Sequence, residues 1–232
     1  MNSQSVKQVL VLAQRIEHIA DGEPSQVLND PRVEIARCGN GIASSIAAVI
    51  GGRQAPWPVL VTTADNALLT DDRVERFLRQ AANTDVAIGF GERSIVESEF
   101  PDTKRTWLKL SDGHFSGANL FAFHNDKCLA ALKHWQSVEQ DRKKGLKLIA
   151  SFGPNLLLRA MSRTIGMIDG LAKVGKKMGL DAKLVILDAE APIDVDKIED
   201  VALVERILSR RRKARPGSGT AKQKPRTPMA HK

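Results

Sequence analysis

A chain of 232 residues that is 42% apolar can bury a core without disulfide or metal staples and is too apolar for a disordered polymer. No apolar run reaches the roughly 20 residues of a membrane-spanning helix, and Met1 to Gln8 lacks the charged opening and cleavage site of a secretory signal, so a cytoplasmic protein is expected. The net charge of +8 is confined to one end: nine of the 35 basic residues lie between Ser209 and Lys232, where no acidic residue occurs, and the other 26 face 27 acidic residues. A near-neutral body with a basic tail argues against a nucleic-acid groove, although the tail itself suits contact with anionic surfaces.

The elements alternate. Val6 to Ala13 is an apolar, β-branched run that predicts a buried strand, and Val33 to Cys38 predicts a second. A glycine turn and a helix over Ile42 to Ile50 follow. Pro58 to Ala64 (PVLVTTA) is a third strand, apolar enough to be covered on both faces. Thr70 then supplies an N-cap with Asp71 and Asp72 behind it, and Val74, Phe77, Leu78 and Ala81 form the apolar stripe of the next helix. Asp85 to Phe90 is a fourth strand. Such βα repetition predicts an open, mostly parallel sheet flanked by helices.

Beyond about residue 100 the rhythm changes. Arg105 to Leu110 and Gly117 to Phe123 predict an antiparallel hairpin turning at Ser111-Asp112-Gly113-His114. Helices are expected near 126–138, 141–150, 154–163 and 169–178, then a strand over Lys183 to Leu187 and a last helix over Glu199 to Arg210. One domain over residues 1–208 is expected, with 209–232 a disordered basic tail. Cys38 and Cys128, 90 positions apart in apolar surroundings, read as reduced core thiols, and no histidine spacing fits zinc.

Ligands of open α/β sheets bind beyond the carboxyl ends of the strands. Asp65 directly follows the third strand and can face such a crevice, where a carboxylate suits a hard cation such as Mg²⁺. The same residue type also caps turns, and the local sequence leaves both roles open. A second acidic source is APIDVDKIEDV (191–201): Asp194 and Asp196 point the same way in extended chain, and Glu199 and Asp200 suit the start of the last helix. Among the basic residues, Lys104, Arg105, Lys109 and the run Asp141-Arg142-Lys143-Lys144 suit phosphate, with Arg105 and Lys143 chosen as candidates, although each also fits a solvated surface charge.

The order of segments resembles the MobA-like nucleotidyltransferase domains of the GT-A type fold. VEIARCGNGIASSIAAVI (33–50), PVLVTTADNALLT (58–70), SGANLFAF (116–123) and APIDVDKIEDVALVERIL (191–208) carry the resemblance, which spans roughly residues 6 to 208. In the last piece Lys197-Ile198 stands where the family commonly has Thr-Pro. The resemblance implies attack by a substrate phosphate on the α-phosphorus of a nucleoside triphosphate, CTP or GTP, with release of pyrophosphate. It further implies Asp65 and Asp196 as catalytic Mg²⁺ ligands, with Asp194 a further ligand. Gly39, Gly41, Ser45 and Thr63 would approach the nucleotide, and Gly117 and Asn119 would border a phosphorylated small-molecule acceptor.

The start departs from that family. Its opening strand and Gly-rich triphosphate loop have no counterpart, because Val9 to Ala13 leads into Gln14-Arg15-Ile16-Glu17 and no glycine follows before Gly22. Val6 to Ala13 then aligns with the second family strand. The expectation is a chain that begins downstream of that loop, or a catalytically inactive nucleotide-binding remnant. A GT-A glycosyltransferase using a nucleotide sugar at the same acidic position is the other alternative.

Overall fold

The computed structural model describes residues 3–20, 29–39, 41–139 and 152–214. They divide between two compact units, Met1–Asp194 and Val195–Lys232. The expected helix near 141–150, Lys143 and the tail beyond Ala214 lie outside the described residues.

The first unit is a mixed α/β structure. Strands β1 (Val9–Ala13) and β2 (Val33–Arg37) pair in parallel as a two-stranded sheet, with the short helix α1 (Glu17–Ala20) between them in sequence. The larger sheet contains β3 (Val59–Thr62), β4 (Val86–Glu92), β5 (Leu108–Leu110), β6 (Gly113–Phe123) and β7 (Ala182–Leu187). Its order is β3-β6-β4-β7, with β5 also on β6. Since β6 is antiparallel to β3, β4 and β5 while β4 and β7 are parallel, every strand but β6 runs one way.

The expected open, mostly parallel sheet flanked by helices is present, and two details of it differ. The first two strands form their own sheet, so the βα repeats do not share one ladder among the described residues. The third strand stands at the end of its sheet order with Val59, Leu60 and Val61 only half-buried and Thr62 exposed. An apolar run reports burial capacity, and a strand with one ladder neighbour realises less of it.

Helices cover both faces of the larger sheet, as period-two alternation demands. From β6, Ala118, Leu120 and Ala122 join Phe77 and Ala81 of α3 (Asp71–Ala81) on one face. Phe121 and Phe123 join Ile46 of α2 (Ile42–Val49) and Cys128 and Leu132 of α5 (Cys128–Glu139) on the other. Both cysteines are free, and burial pushes the Cys128 thiol pKa up. Thr70 accepts from the Arg73 N–H at 3.2 Å, so the expected N-cap of α3 forms.

Helix α4 (Arg93–Glu99) was not legible in the sequence, because Val96 is its one buried residue and an Arg93–Glu97 pair at i, i+4 replaces an apolar stripe. Helices α6 (Pro154–Met161) and α7 (Met167–Met178) follow α5, and β7 comes close to its expected bounds. Asp112 at the β5–β6 turn accepts the Met167 N–H with both oxygens at 2.8 Å, capping α7 from outside its own chain segment. The second unit carries α8 (Ile198–Ala214), which runs four residues past the expected Arg210. No described helix is long and apolar enough to cross a membrane.

Candidate functional site

Asp65 follows β3 and Asp194 follows β7, so both lie beyond the carboxyl ends of co-directional strands. Their carboxylates each offer an oxygen within 4.8 Å of the other. Two oxygens on one octahedral Mg²⁺ stand about 3–4 Å apart, given bonds of about 2.1 Å, so the two carboxylates lie near the spacing of a shared cation. Asp65 accepts a short hydrogen bond from the Thr63 hydroxyl, which orients the carboxylate while leaving its second oxygen free of that bond.

Asp194 is held from two directions. Arg105 Nη2 donates to its Oδ1, and Asn119 Nδ2 donates to its Oδ2 at 2.9 Å. The Arg105 and Asp194 side chains are 9% and 12% exposed, so the pair is largely desolvated. Arg105 lies in irregular chain rather than in the expected strand, since β5 begins at Leu108; its side chain reaches inward to Asp194 where a regular β5 would alternate. Asn119 has φ +49°, next to the register shift between Ile88 and Phe90 of β4. A left-handed residue there re-aims the side chain, as bulges beside functional sites do.

Three buried side-chain polar atoms have no hydrogen-bond partner among the described residues, Asn66 Oδ1, Arg105 Nε and His124 Nδ1, and the first two belong to the segments around Asp65 and Asp194. Asn66 is 8% exposed, and its Nδ2 donates to the Ala118 carbonyl at 3.1 Å. A Cβ built on Gly117 meets nothing within 4 Å, so there is room on the β6 side of Asn119. Among the described residues the candidate cation ligands gathered with Asp65 and Asp194 are carboxylates, which fits a hard divalent ion.

The other sequence candidates divide clearly. Gly41 is the N-cap residue of α2, and Ser45 donates to its carbonyl while accepting from the Gly39 N–H at 3.1 Å. The Ser45 hydroxyl therefore closes the glycine turn. Asp196 belongs to the second unit, where its N–H and that of Lys197 donate to Asp200 Oδ2 at 3.1 and 2.9 Å. Asp200 thus caps the entry to α8, as its position suggested. Lys104 and Lys109 are exposed.

Sequence reasoning missed Asn66 and the Arg73 network. Arg73, with its side chain 5% exposed, donates through Nε and Nη2 to Asp188, through Nη2 to Glu190 at 3.1 Å and through Nη1 to the Leu68 carbonyl. Arg76 adds a 2.7 Å bond to Asp188. Burial opposes the charge on Arg73, yet its carboxylate partners outweigh that and raise its pKa. Burial likewise works against ionised Asp188, and the two guanidinium groups still lower its pKa. Leu68 lies on the loop after Asp65, and Asp188 and Glu190 on the loop that leads to Asp194, so Arg73 ties both carboxylate-bearing loops to α3. One signal was available: Arg73, Phe77 and Ala81 fall at i, i+4 and i+8, which puts a charge on the apolar stripe.

No protein-family model and no curated protein matches the chain. Among solved structures, a hypothetical transferase from Thermus thermophilus aligns at 26% identity with a TM-score of 0.66, over 78% of this chain and 77% of the other. The 4-diphosphocytidyl-2C-methyl-D-erythritol synthase of Anaerococcus prevotii aligns at 9% identity with a TM-score of 0.51, over 90% of this chain and 81% of the other. The second likeness is one of fold alone.

Proposed function

We propose that the chain is a MobA-like nucleotidyltransferase that moves a nucleoside monophosphate from CTP or GTP to a phosphorylated small molecule. The observation that carries this reading is the approach of Asp65 and Asp194 beyond the carboxyl ends of co-directional strands, beside a buried arginine. The shared fold with a hypothetical transferase supports it. Phosphoryl transfer of this kind asks for alignment and charge neutralisation, not for a covalent nucleophile.

In this reading Asp65 and Asp194 hold Mg²⁺. The cation would neutralise phosphate charge as the pyrophosphate departs. Thr63 orients Asp65, and Asn119 and Arg105 hold Asp194 and border the acceptor beside Gly117. Gly39 and Gly41, in a turn closed by Ser45, approach the nucleotide; Lys143 is carried as a phosphate contact from sequence alone. Residues 1–208 form the transferase unit, with 209–232 a basic extension.

Pyrophosphate release measured with each nucleoside triphosphate, Mg²⁺ and a panel of phosphorylated acceptors tests the reading. Release with one triphosphate, lost in Asp65→Asn, supports it. Binding of triphosphate without any release would make the chain a nucleotide-binding remnant. Turnover of nucleotide sugars but not of triphosphates would replace it with a glycosyltransferase.

A further inference from the structure

Arg105 is a largely buried charged group whose hydrogen bonding is incomplete among the described residues. Its side chain is 9% exposed, one nitrogen is committed to Asp194, and Nε is buried with no partner among the described residues. A buried N–H left unmade costs more than a typical hydrogen bond returns, so a group kept this way suits a ligand that completes it. Its one carboxylate partner is also a candidate cation ligand, and the Asp65 carboxylate stands within 4.8 Å of it.

A carboxylate shared by a guanidinium and a divalent cation sets up competition. As Asp194 turns its charge to a cation, Arg105 loses its counter-charge in a largely desolvated position, which is strongly unfavourable until another anion replaces it. Guanidinium geometry favours the two oxygens of a phosphate over a point charge. The unfilled space beside Gly117, two residues before Asn119, offers room for such a group.

The geometry points to a hand-over: Asp194 exchanges Arg105 for a divalent cation, and the released guanidinium takes a phosphate group, so that cation and phosphate bind with positive coupling. This rests on the nucleotidyltransferase reading of the site and adds an order to it. Arg105 holds Asp194 in register beforehand and recognises the phosphate afterwards. Linkage makes the effect reciprocal: the phosphate tightens the cation by the factor by which the cation tightens the phosphate.

Mn²⁺ binding to the full chain, read by electron paramagnetic resonance of the free ion, tests this without turnover. Sulfate serves as the phosphate-shaped probe, against sodium chloride at matched ionic strength. Sulfate is expected to tighten Mn²⁺ about 5-fold or more, within the usual range of coupling. In Arg105→Met the competitor is gone, so Mn²⁺ should bind more tightly than to the parent before any anion is added, and the sulfate effect should vanish. Arg105→Lys keeps a charge and guards against a folding artefact; it should retain part of the sulfate effect.

Methyl phosphate and a nucleoside triphosphate, each added to the Mn²⁺-loaded chain, identify the source of the phosphate. Selective loss of methyl phosphate binding in Arg105→Met assigns the acceptor, and selective loss of triphosphate binding assigns the nucleotide. Loss of neither overturns the hand-over. Mn²⁺ binding that needs Asp65 but ignores sulfate also overturns it, while leaving the cation site standing. A parent chain that binds no Mn²⁺ overturns both.

Discussion

Two buried arginines flank the candidate site, and they are finished to different degrees. Arg73 places Nε, Nη1 and Nη2 on Asp188, Leu68 and Glu190, and its partners keep it charged against the pull of burial. Arg105 binds Asp194 and leaves Nε without a partner among the described residues. A satisfied network specifies a shape, because any departure breaks several bonds together. A half-satisfied one leaves free energy to be gained by a ligand. The first arginine is framework and the second is the part of the site still open to chemistry.

The sharpest way to break this contrast is Arg73→Ala. Removing it leaves Asp188 and Glu190 without their main counter-charge, and a loss of about 3 kcal/mol is expected by urea unfolding. A change below about 1 kcal/mol would erase the distinction between the two arginines.

Gly91→Ala comes next. A Cβ there would sit 2.5 Å from Pro192 Cγ, on the loop that carries both Asp188 and Asp194. Overpacking of this kind should cost about 2 kcal/mol, and Mn²⁺ affinity should fall with it because the loop shifts. Intact affinity would show that the two regions are not coupled through this loop.

Arg105→Met leaves the largely desolvated Asp194 carboxylate with the Asn119 amide as its remaining donor. It should cost about 2 kcal/mol of unfolding stability, less than Arg73→Ala because an unmet donor goes with it, and Mn²⁺ should recover the loss. A loss matching that of Arg73→Ala would make Arg105 framework too.

Acid supplies the gentlest test. The Asp188 pKa lies below its usual value, so the stability it contributes is fully present above the unfolded carboxyl range, about 3.9, and is lost as pH falls through the folded value. Stability of the parent should decline below about pH 4, and that component should be much reduced in Arg73→Ala, with the Asp188 carboxyl titrating closer to its ordinary range by NMR. The same slope in both proteins would remove Asp188 as its source.

Much of the site was legible where its causes are local. Asp65 stood out because it ends an apolar run, and Thr70 because a hydroxyl before Asp71 and Asp72 suits a helix start. Arg105 was named for its phosphate-binding chemistry, but its bond to Asp194 spans 89 positions and the Arg73–Asp188 bond spans 115. No periodicity carries such pairings, since folding alone brings those segments together.

The amino-acid sequence thus determined most of the element types, α4 excepted, the α/β class and the position of Asp65 beyond a strand, because strand and helix periods and capping act within a few residues. Tertiary structure alone decided that β6 enters between β3 and β4, that β1 and β2 pair apart, and that Asp194 meets Asp65 and Arg105. Those outcomes depend on which distant surfaces exclude water together and which charges are buried with them.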